Sequence, residues 1–322
     1  MTLKAPFPWF GGKSRVAAPI WERFGDVRCY IEPFFGSGAA LLGRPHADPG
    51  YEIVNDKYCF LANFWRALKY APNELAEICD WPINEADLHA RHIWLRAKAE
   101  WLASMMDDPD FYDLKVAAWW VWGISQWIGD GWCDLGPPTA SVKRPYLASD
   151  MGAHRPRTPT TSNAGVYAKR PDLCNSRGIA RSDQHLIPYF SALSRRFRNV
   201  KVCCGDWKRV LTDFIILTNS PTGILLDPPY GAERDEVYSE DSFTIAGEVR
   251  EWAIEYGPDP RLRIALCGYA EEHAMPQGWE MFRWKAQGGY ANLRNGRGKA
   301  NRELETIWFS PGCLRVGLFP LE

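Results

Sequence analysis

The sequence predicts an α/β fold of the Rossmann-like kind with an inserted, mostly helical region, and three stretches carry that prediction. Gly223-Ile224-Leu225-Leu226 is an apolar run of the sort a parallel strand buried on both faces requires, and the prolines of Asp227-Pro228-Pro229-Tyr230 end it, since proline brings no N–H to a ladder. Cys29-Tyr30-Ile31-Glu32-Pro33-Phe34-Phe35-Gly36-Ser37-Gly38-Ala39-Ala40-Leu41-Leu42 reads as a short strand, a Gly-Ser-Gly turn and a helix, the form of the first βα turn in a nucleotide-type fold. About twenty residues further on, Tyr51-Glu52-Ile53-Val54-Asn55-Asp56 reads as a second strand that ends in an acid.

The elements follow in order. Pro8-Trp9-Phe10-Gly11-Gly12-Lys13-Ser14-Arg15 is a loop before a helix that carries Ile20 and Trp21; its glycines permit close approach of a ligand, and Lys13 brings a positive charge suited to a carboxylate. The turn after the first strand lacks the full G-x-G-x-x-G and has no Walker lysine, so a cofactor without a pyrophosphate fits better than a nucleotide phosphate. Asp56 is placed to accept from ribose hydroxyls, and Glu32 to face an ammonium group. Phe60 to Leu68 has amphipathic periodicity, and Glu74 to Asp80 starts another helix.

Beyond Trp81-Pro82 the character changes. Leu88 to Met106 and Tyr112 to Ile128 are helical in pattern and crowded with Trp94, Trp101, Trp119, Trp120, Trp122 and Trp127, most of which are expected in a core. His89, His92 and Glu85 can share a helix face, but without a further ligand they read as surface or capping groups. Gly129-Asp130-Gly131-Trp132 breaks the helix. From Thr139 to Asp183 a stretch rich in Pro, Ser, Thr and Arg sets eight basic residues, Arg155, Arg157, Lys169 and Arg170 among them, against Asp150, Asp172 and Asp183. Such a patch, expected to order on phosphates, points to DNA contact.

The sheet resumes at Asn199 to Trp207, where Asp206 follows a strand and is suited to accept from an adenine amine. Gly231 to Ser242 has the polar composition of a flap, Thr244 to Tyr256 is helical, and Arg263 to Gly268, Trp279 to Trp284 and Thr306 to Phe309 are strands. Between the last two, Arg294, Arg297 and Lys299 stand among glycines in a second candidate phosphate-contacting loop.

Composition bounds the function classes. The 322 residues suit two domains, or one α/β domain with a large insertion, at about 100–200 residues per domain. A formal net charge of -1 makes any nucleic-acid surface local. The odd count of 9 cysteines, without C-x-x-C spacing, fits reduced thiols in a cytoplasmic protein and no zinc site. With no apolar run of about 18 residues and no signal-like start, no membrane role is expected.

The chemistry of the tetrapeptide fits methylation of an exocyclic amine. That nitrogen's lone pair is delocalised into the base until acceptors hold its hydrogens and favour a tetrahedral centre. Asp227 and the carbonyl of Pro228 are two such acceptors, and Tyr230 offers a flat face for a base swung out of the duplex.

Taken together, Trp9-Phe10-Gly11-Gly12-Lys13, Glu32-Pro33-Phe34-Phe35-Gly36-Ser37-Gly38, Asn55-Asp56, Gly205-Asp206 and Asp227-Pro228-Pro229-Tyr230 resemble, in this order, the motifs of the Dam-like DNA adenine-N6 methyltransferases, the alpha group or D12 class. The resemblance covers roughly residues 5–80 and 195–312 and implies a Rossmann-like S-adenosylmethionine-dependent methyltransferase. It implies a catalytic domain made of residues 1–80 and 195–322, with a target-recognition insertion at 81–194. Trp9, Lys13, Glu32, Pro33, Phe34, Gly36, Gly38, Asp56 and Asp206 would surround S-adenosylmethionine, and Asp227, Pro228, Pro229 and Tyr230 would hold the target adenine. Relatives often show other small or apolar residues at Phe35-Gly36-Ser37-Gly38, and the insert does not resemble the GATC-reading domain, so GATC specificity does not carry over.

The expected partner is double-stranded DNA, met by a monomeric, cytoplasmic, bacterial or phage-encoded enzyme with S-adenosylhomocysteine as product and no metal. A cytosine-N4 methyltransferase, a class that more often has Ser in place of Asp227, and a catalytically inactive DNA-binding protein on the same scaffold are the alternatives.

Overall fold

The computed structural model describes residues 3–9, 12–45, 50–82, 84–106, 108, 110–127, 132–133, 186–229, 241–270, 273–284 and 305–315. Contacts divide the chain into two compact units. One comprises residues 1–3, 9–58 and 199–322, and the other residues 4–8 and 59–198.

The first unit is built on a seven-stranded sheet. Its strands are β1 (Cys29–Glu32), β2 (Tyr51–Asp56), β3 (Val200–Cys204), β4 (Thr222–Leu226), β5 (Leu262–Tyr269), β6 (Glu280–Arg283) and β7 (Glu305–Phe309), in the spatial order β3-β2-β1-β4-β5-β7-β6. The first five are parallel, and β7 runs antiparallel to both β5 and β6. β1 and β4 lie at the centre and every one of their residues is buried, which is why, apart from Thr222 at the start of β4 and Glu32 at the end of β1, their sequences are largely apolar without alternation. Ile31, Ile224, Leu226, Ile264, Leu266 and Trp308 share one apolar core with Val249 and Ala253 of a helix at Asp241–Tyr256. The chain order reverses between β1 and β4, and ligands in open α/β sheets bind at the strand carboxyl ends beside such a reversal.

The second unit is helical. With α1 (Ala17–Phe24) and α2 (Ala39–Leu42) belonging to the sheet unit, it holds α3 (Cys59–Tyr70), α4 (Pro72–Cys79), α5 (Glu85–Met105), α6 (Leu114–Gln126) and α7 (Leu186–Phe197). α5 starts where Asn84 Oδ1 accepts from the N–H groups of Ala86 and Asp87, and α6 where Asp113 accepts from Val116, so both helices are capped by a side chain at the N-terminus. An aromatic core fills the unit: Trp65 stacks on Phe197 with centroids 4.5 Å apart, and Phe7 meets Phe64 and Trp120 edge-on at 5.3 and 5.2 Å. The remaining helices are α8 (Asp213–Thr218) and α9 (Asp241–Tyr256), both of the sheet unit.

One expectation is corrected. His89 and His92 are neither surface nor capping groups but are buried, 6% and 4% exposed. The His92 ring stacks on Trp127 with centroids 4.7 Å apart, and its Nδ1 accepts from the Cys133 N–H at 3.4 Å, so this face of α5 is core. Among the described residues no group of His, Cys, Asp and Glu is arranged to hold a metal ion, and no helix is long and apolar enough to cross a membrane.

Candidate active site

Four strand ends bring the predicted residues of the sheet unit together. Glu32 ends β1, Asp56 ends β2, Asp206 follows β3 by one glycine, and Asp227 follows β4 directly. Because these strands are parallel and in register, all four acids leave the sheet at the same edge.

Asn55 ties that edge together. It is buried, and its Nδ2 donates to the carbonyls of Pro33 at 3.1 Å and Gly205 at 3.0 Å, locking the turns after β1 and β3 to β2. Asparagine is disfavoured inside strands, and its presence next to Asp56 is the signal in the sequence for this bracing role. Asp56 braces the turn after β1 and the turn after its own strand: Oδ2 accepts from the Gly36 N–H at 3.0 Å and Oδ1 from the Tyr58 N–H at 2.9 Å. Burial raises the Asp56 carboxyl above its usual range, while these backbone donors act in the opposite direction. With two oxygens and about four lone-pair sites, the carboxylate keeps room for further donors.

The Gly36-Ser37-Gly38 turn needs its glycines. Gly36 has φ of +51°, and a Cβ there would lie 2.5 Å from the Trp9 ring, so backbone geometry and the indole both exclude a side chain. Gly38 has φ of +72° and lies against the Phe35 ring. Phe34, half-buried, packs against Trp207 with centroids 6.1 Å apart. Asp206 is exposed, and its Oδ1 accepts from the Lys208 N–H at 2.9 Å.

Glu32 is 3% exposed and accepts from the Tyr30 hydroxyl at 2.8 Å. Burial drives its carboxyl well above the carboxylate range; the Tyr30 hydrogen bond lowers it, Asp227 raises it further, and Lys13 offsets part of this.

Lys13, in a short 3-10 turn at Lys13–Arg15, places its Nζ 2.7 Å from Asp227 Oδ2, with the lysine side chain 4% and the aspartate 20% exposed. Burial works against the ammonium, but Asp227, Cys267 and Glu305 outweigh it and the net shift is upward. The carboxylate that Lys13 meets is therefore the protein's own. Pro228 is buried and Pro229 half-buried behind Asp227.

Sequence reasoning passes over Glu305, at the start of β7. It feels both Lys13 and Asp227, and burial raises its carboxyl. Its Oε2 is buried and has no hydrogen-bond partner among the described residues. Nothing local marks it, because only the antiparallel placement of β7 beside β5 brings the start of that strand to this edge. Tyr230, Arg155, Arg157, Lys169, Arg170, Arg294 and Arg297 lie outside the described residues.

Residues 9–107 match the family model of the D12 class N6 adenine-specific DNA methyltransferases. Over that stretch the chain is similar to the D12 class. This methyltransferase transfers a methyl group to N6 of adenine in DNA, and its matched segment contains Trp9, Lys13, the whole Glu32 to Gly38 turn and Asp56. The match ends well before Asp227. No curated protein matches the chain.

Proposed function

We propose that the sheet edge formed by β1, β2, β3 and β4 is where this methyltransferase takes S-adenosylmethionine and the target adenine. The observation that carries the reading is the Lys13–Asp227 pair, which puts the N-terminal loop and the Asp227-Pro228-Pro229 segment in one place beside the reversal of strand order.

The donor set suits that cofactor. Glu32, Asp56, Asp206 and Asp227 give the edge an excess of carboxyl groups over Lys13, which favours a ligand with positive charges and hydroxyl donors. Buried Glu32 is suited to an ammonium, Asp56 to ribose hydroxyls, Asp206 to an adenine amine, and Phe34 against Trp207 to the face of a ring. Trp9, Pro33, Gly36 and Gly38 shape the backbone around it, and Lys13, paired with Asp227, is the cation beside the cofactor.

When bound, S-adenosylmethionine supplies a methyl group on a sulfonium, whose positive charge makes the thioether a good leaving group. Asp227 and the Pro228 carbonyl would accept from the adenine N6 hydrogens and free the nitrogen lone pair for the methyl carbon, the thioether leaving as the N–C bond forms and one N6 proton passing to solvent. Positioning and polarisation then carry the catalysis. Flipping the base costs a few kcal/mol, against about 1–3 kcal/mol from stacking on Tyr230.

In this reading residues 81–194 form the target-recognition insertion, and Arg155, Arg157, Lys169, Arg170, Arg294 and Arg297 contact the phosphates of double-stranded DNA. The enzyme acts as a cytoplasmic monomer and needs no metal. The test is to incubate purified protein with labelled S-adenosylmethionine and duplex DNA and separate the nucleosides. Label in N6-methyladenine, reduced at least about a hundredfold by Asp227→Ala, is expected. Near-normal turnover in that variant would sink the role of Asp227.

A further inference from the structure

In the helical unit, a cleft of about 600 Å³ opens between α4, the start of α5 and α6. Its walls include Trp81, Trp94 and Trp119, with Arg91 between them and the acids Glu77 and Asp87 among its lining. These tryptophans differ from Trp65, Trp120 and Trp122, which are fully buried in the same unit. Trp81 is 45% exposed, and Trp94 and Trp119 are half-buried.

The walls are fixed. Trp81 donates from Nε1 to Asp87 Oδ2 at 2.7 Å, and its backbone carbonyl accepts from Trp122 Nε1 at 3.1 Å, so both the exposed indole and the backbone that carries it are held. Trp94 and Trp119 brace each other edge-to-face with centroids 5.1 Å apart. Holding a large aromatic surface rigid and half in water gives no folding advantage over burying it, and rigid aromatic faces are what unstacked bases bind.

Arg91 is the second observation. Its guanidinium sits 5.2, 4.9 and 4.3 Å from the ring centroids of Trp81, Trp119 and Trp122. It is 7% exposed, its Nη1 has no hydrogen-bond partner among the described residues, and the nearby Asp87 is engaged by Trp81. The cation is held by ring faces, and burial lowers its pKa, with Asp87 and Cys79 acting in the opposite direction. Acceptors arriving at the part of Arg91 that lines the cleft would relieve that cost.

We propose that this cleft binds one unstacked guanine base of the DNA substrate, stacked on the tryptophan faces, with its acceptor edge toward Arg91 and its donor edge toward Glu77 and Asp87. The proposal rests on the DNA-modifying function above and deepens it to a base-reading site. Glu77 and Asp87 repel phosphate, so a base enters and the backbone stays outside. Guanine places two acceptors, O6 and N7, on one edge and its imino and amino donors on another, whereas thymine has no amino group and adenine and cytosine alternate donor with acceptor. Lys98 and Lys115, over the Trp94 ring at 5.6 and 4.9 Å, are the cations next to these rings for the flanking phosphates.

The experiment is a tryptophan-fluorescence titration of the full-length protein with short single-stranded oligothymidylates that carry one guanosine, one inosine or neither. The guanosine oligomer should bind about tenfold more tightly than plain oligothymidylate, as one well-made bidentate base contact provides, with the inosine oligomer between them. Trp81→Ala and Arg91→Lys should each remove the preference, and Glu77→Gln should reduce guanosine to the level of inosine. Should Arg91→Lys fail to fold, the solvent-exposed Trp81→Ala decides alone. Equal affinity for all three oligomers, or a preference that survives Trp81→Ala, overturns the proposal. Methylation of duplex DNA by the same preparation separates the two readings: normal methylation without a guanine preference sinks the cleft alone, and a preference without methylation sinks the proposed function alone.

Discussion

The Lys13 ammonium lies 2.7 Å from the Asp227 carboxylate and is almost fully buried there. A group proposed for the cofactor and a group proposed for the target base are thus paired in the same place. Removing one partner of such a pair leaves a buried charge without compensation, which typically costs about 3–5 kcal/mol, whereas removing both is far cheaper.

This gives the first prediction. Asp227→Ala should lower the melting temperature as well as abolish methyl transfer, since the Lys13 ammonium, 4% exposed, loses the carboxylate 2.7 Å away. Lys13→Met in the Asp227→Ala background should restore most of the stability and none of the activity. Chemical denaturation of the two single variants and the double variant measures the coupling. Additive losses would mean that the pair does not contribute to the fold.

Much of this architecture is legible in the sequence because it is locally encoded. The Gly223 to Leu226 run forms β4, and the periodic tryptophan-rich stretches form α5 and α6 within a few residues of their expected ends. α8 is not legible in the same way, because Phe214, Ile215, Ile216 and Leu217 form an apolar run too short for its period to separate helix from strand. α7 does carry a signal, in Leu186, Phe190, Leu193 and Phe197 at the spacing of one helical face, with Arg195 and Arg196 between the last two. In the site, each strand-end acid announces itself by position, while the partner of Lys13 and the arrival of Glu305 depend on contacts remote in sequence. The burial of His92 escapes the sequence because helical periodicity does not reveal that Trp127 and Trp132 turn back over that face of α5.

His92 supplies a second prediction. Its imidazole is lowered to about 4 by burial first and then by the charges of Arg96 and His89. The unfolded chain, with a histidine near its usual value of about 6.5, therefore binds a proton between these limits that the folded chain refuses. Stability should fall as pH drops from about 6.5 toward 4, and this contribution should level off below that. Replacing the ring by His92→Phe keeps an aromatic body against Trp127 and removes the titrating group. Melting temperatures across this range should decline less steeply in the variant, and parallel declines would assign the acid sensitivity elsewhere.

The last prediction follows from Glu32. Burial holds its carboxyl well above the usual carboxylate range, despite the hydrogen bond from Tyr30 and the charge of Lys13, so protons stay bound there at pH values where an exposed glutamate has lost them. For the unliganded protein the sign is fixed: folding takes up a proton in that window, and this stabilising contribution is lost as pH rises through the folded pKa. An arriving ammonium favours the ionised form and pulls the pKa back down, so cofactor binding should release up to about one proton. Calorimetric titration with S-adenosylmethionine in buffers of different ionisation enthalpy reads that release as a buffer-dependent heat. Glu32→Gln keeps the shape and an acceptor for Tyr30 but has no proton to give. The variant should bind more weakly and show heats independent of buffer. A buffer dependence that persists in Glu32→Gln would place the released proton on another group, with Asp56 and Glu305, both raised by burial, the next carboxyls to test.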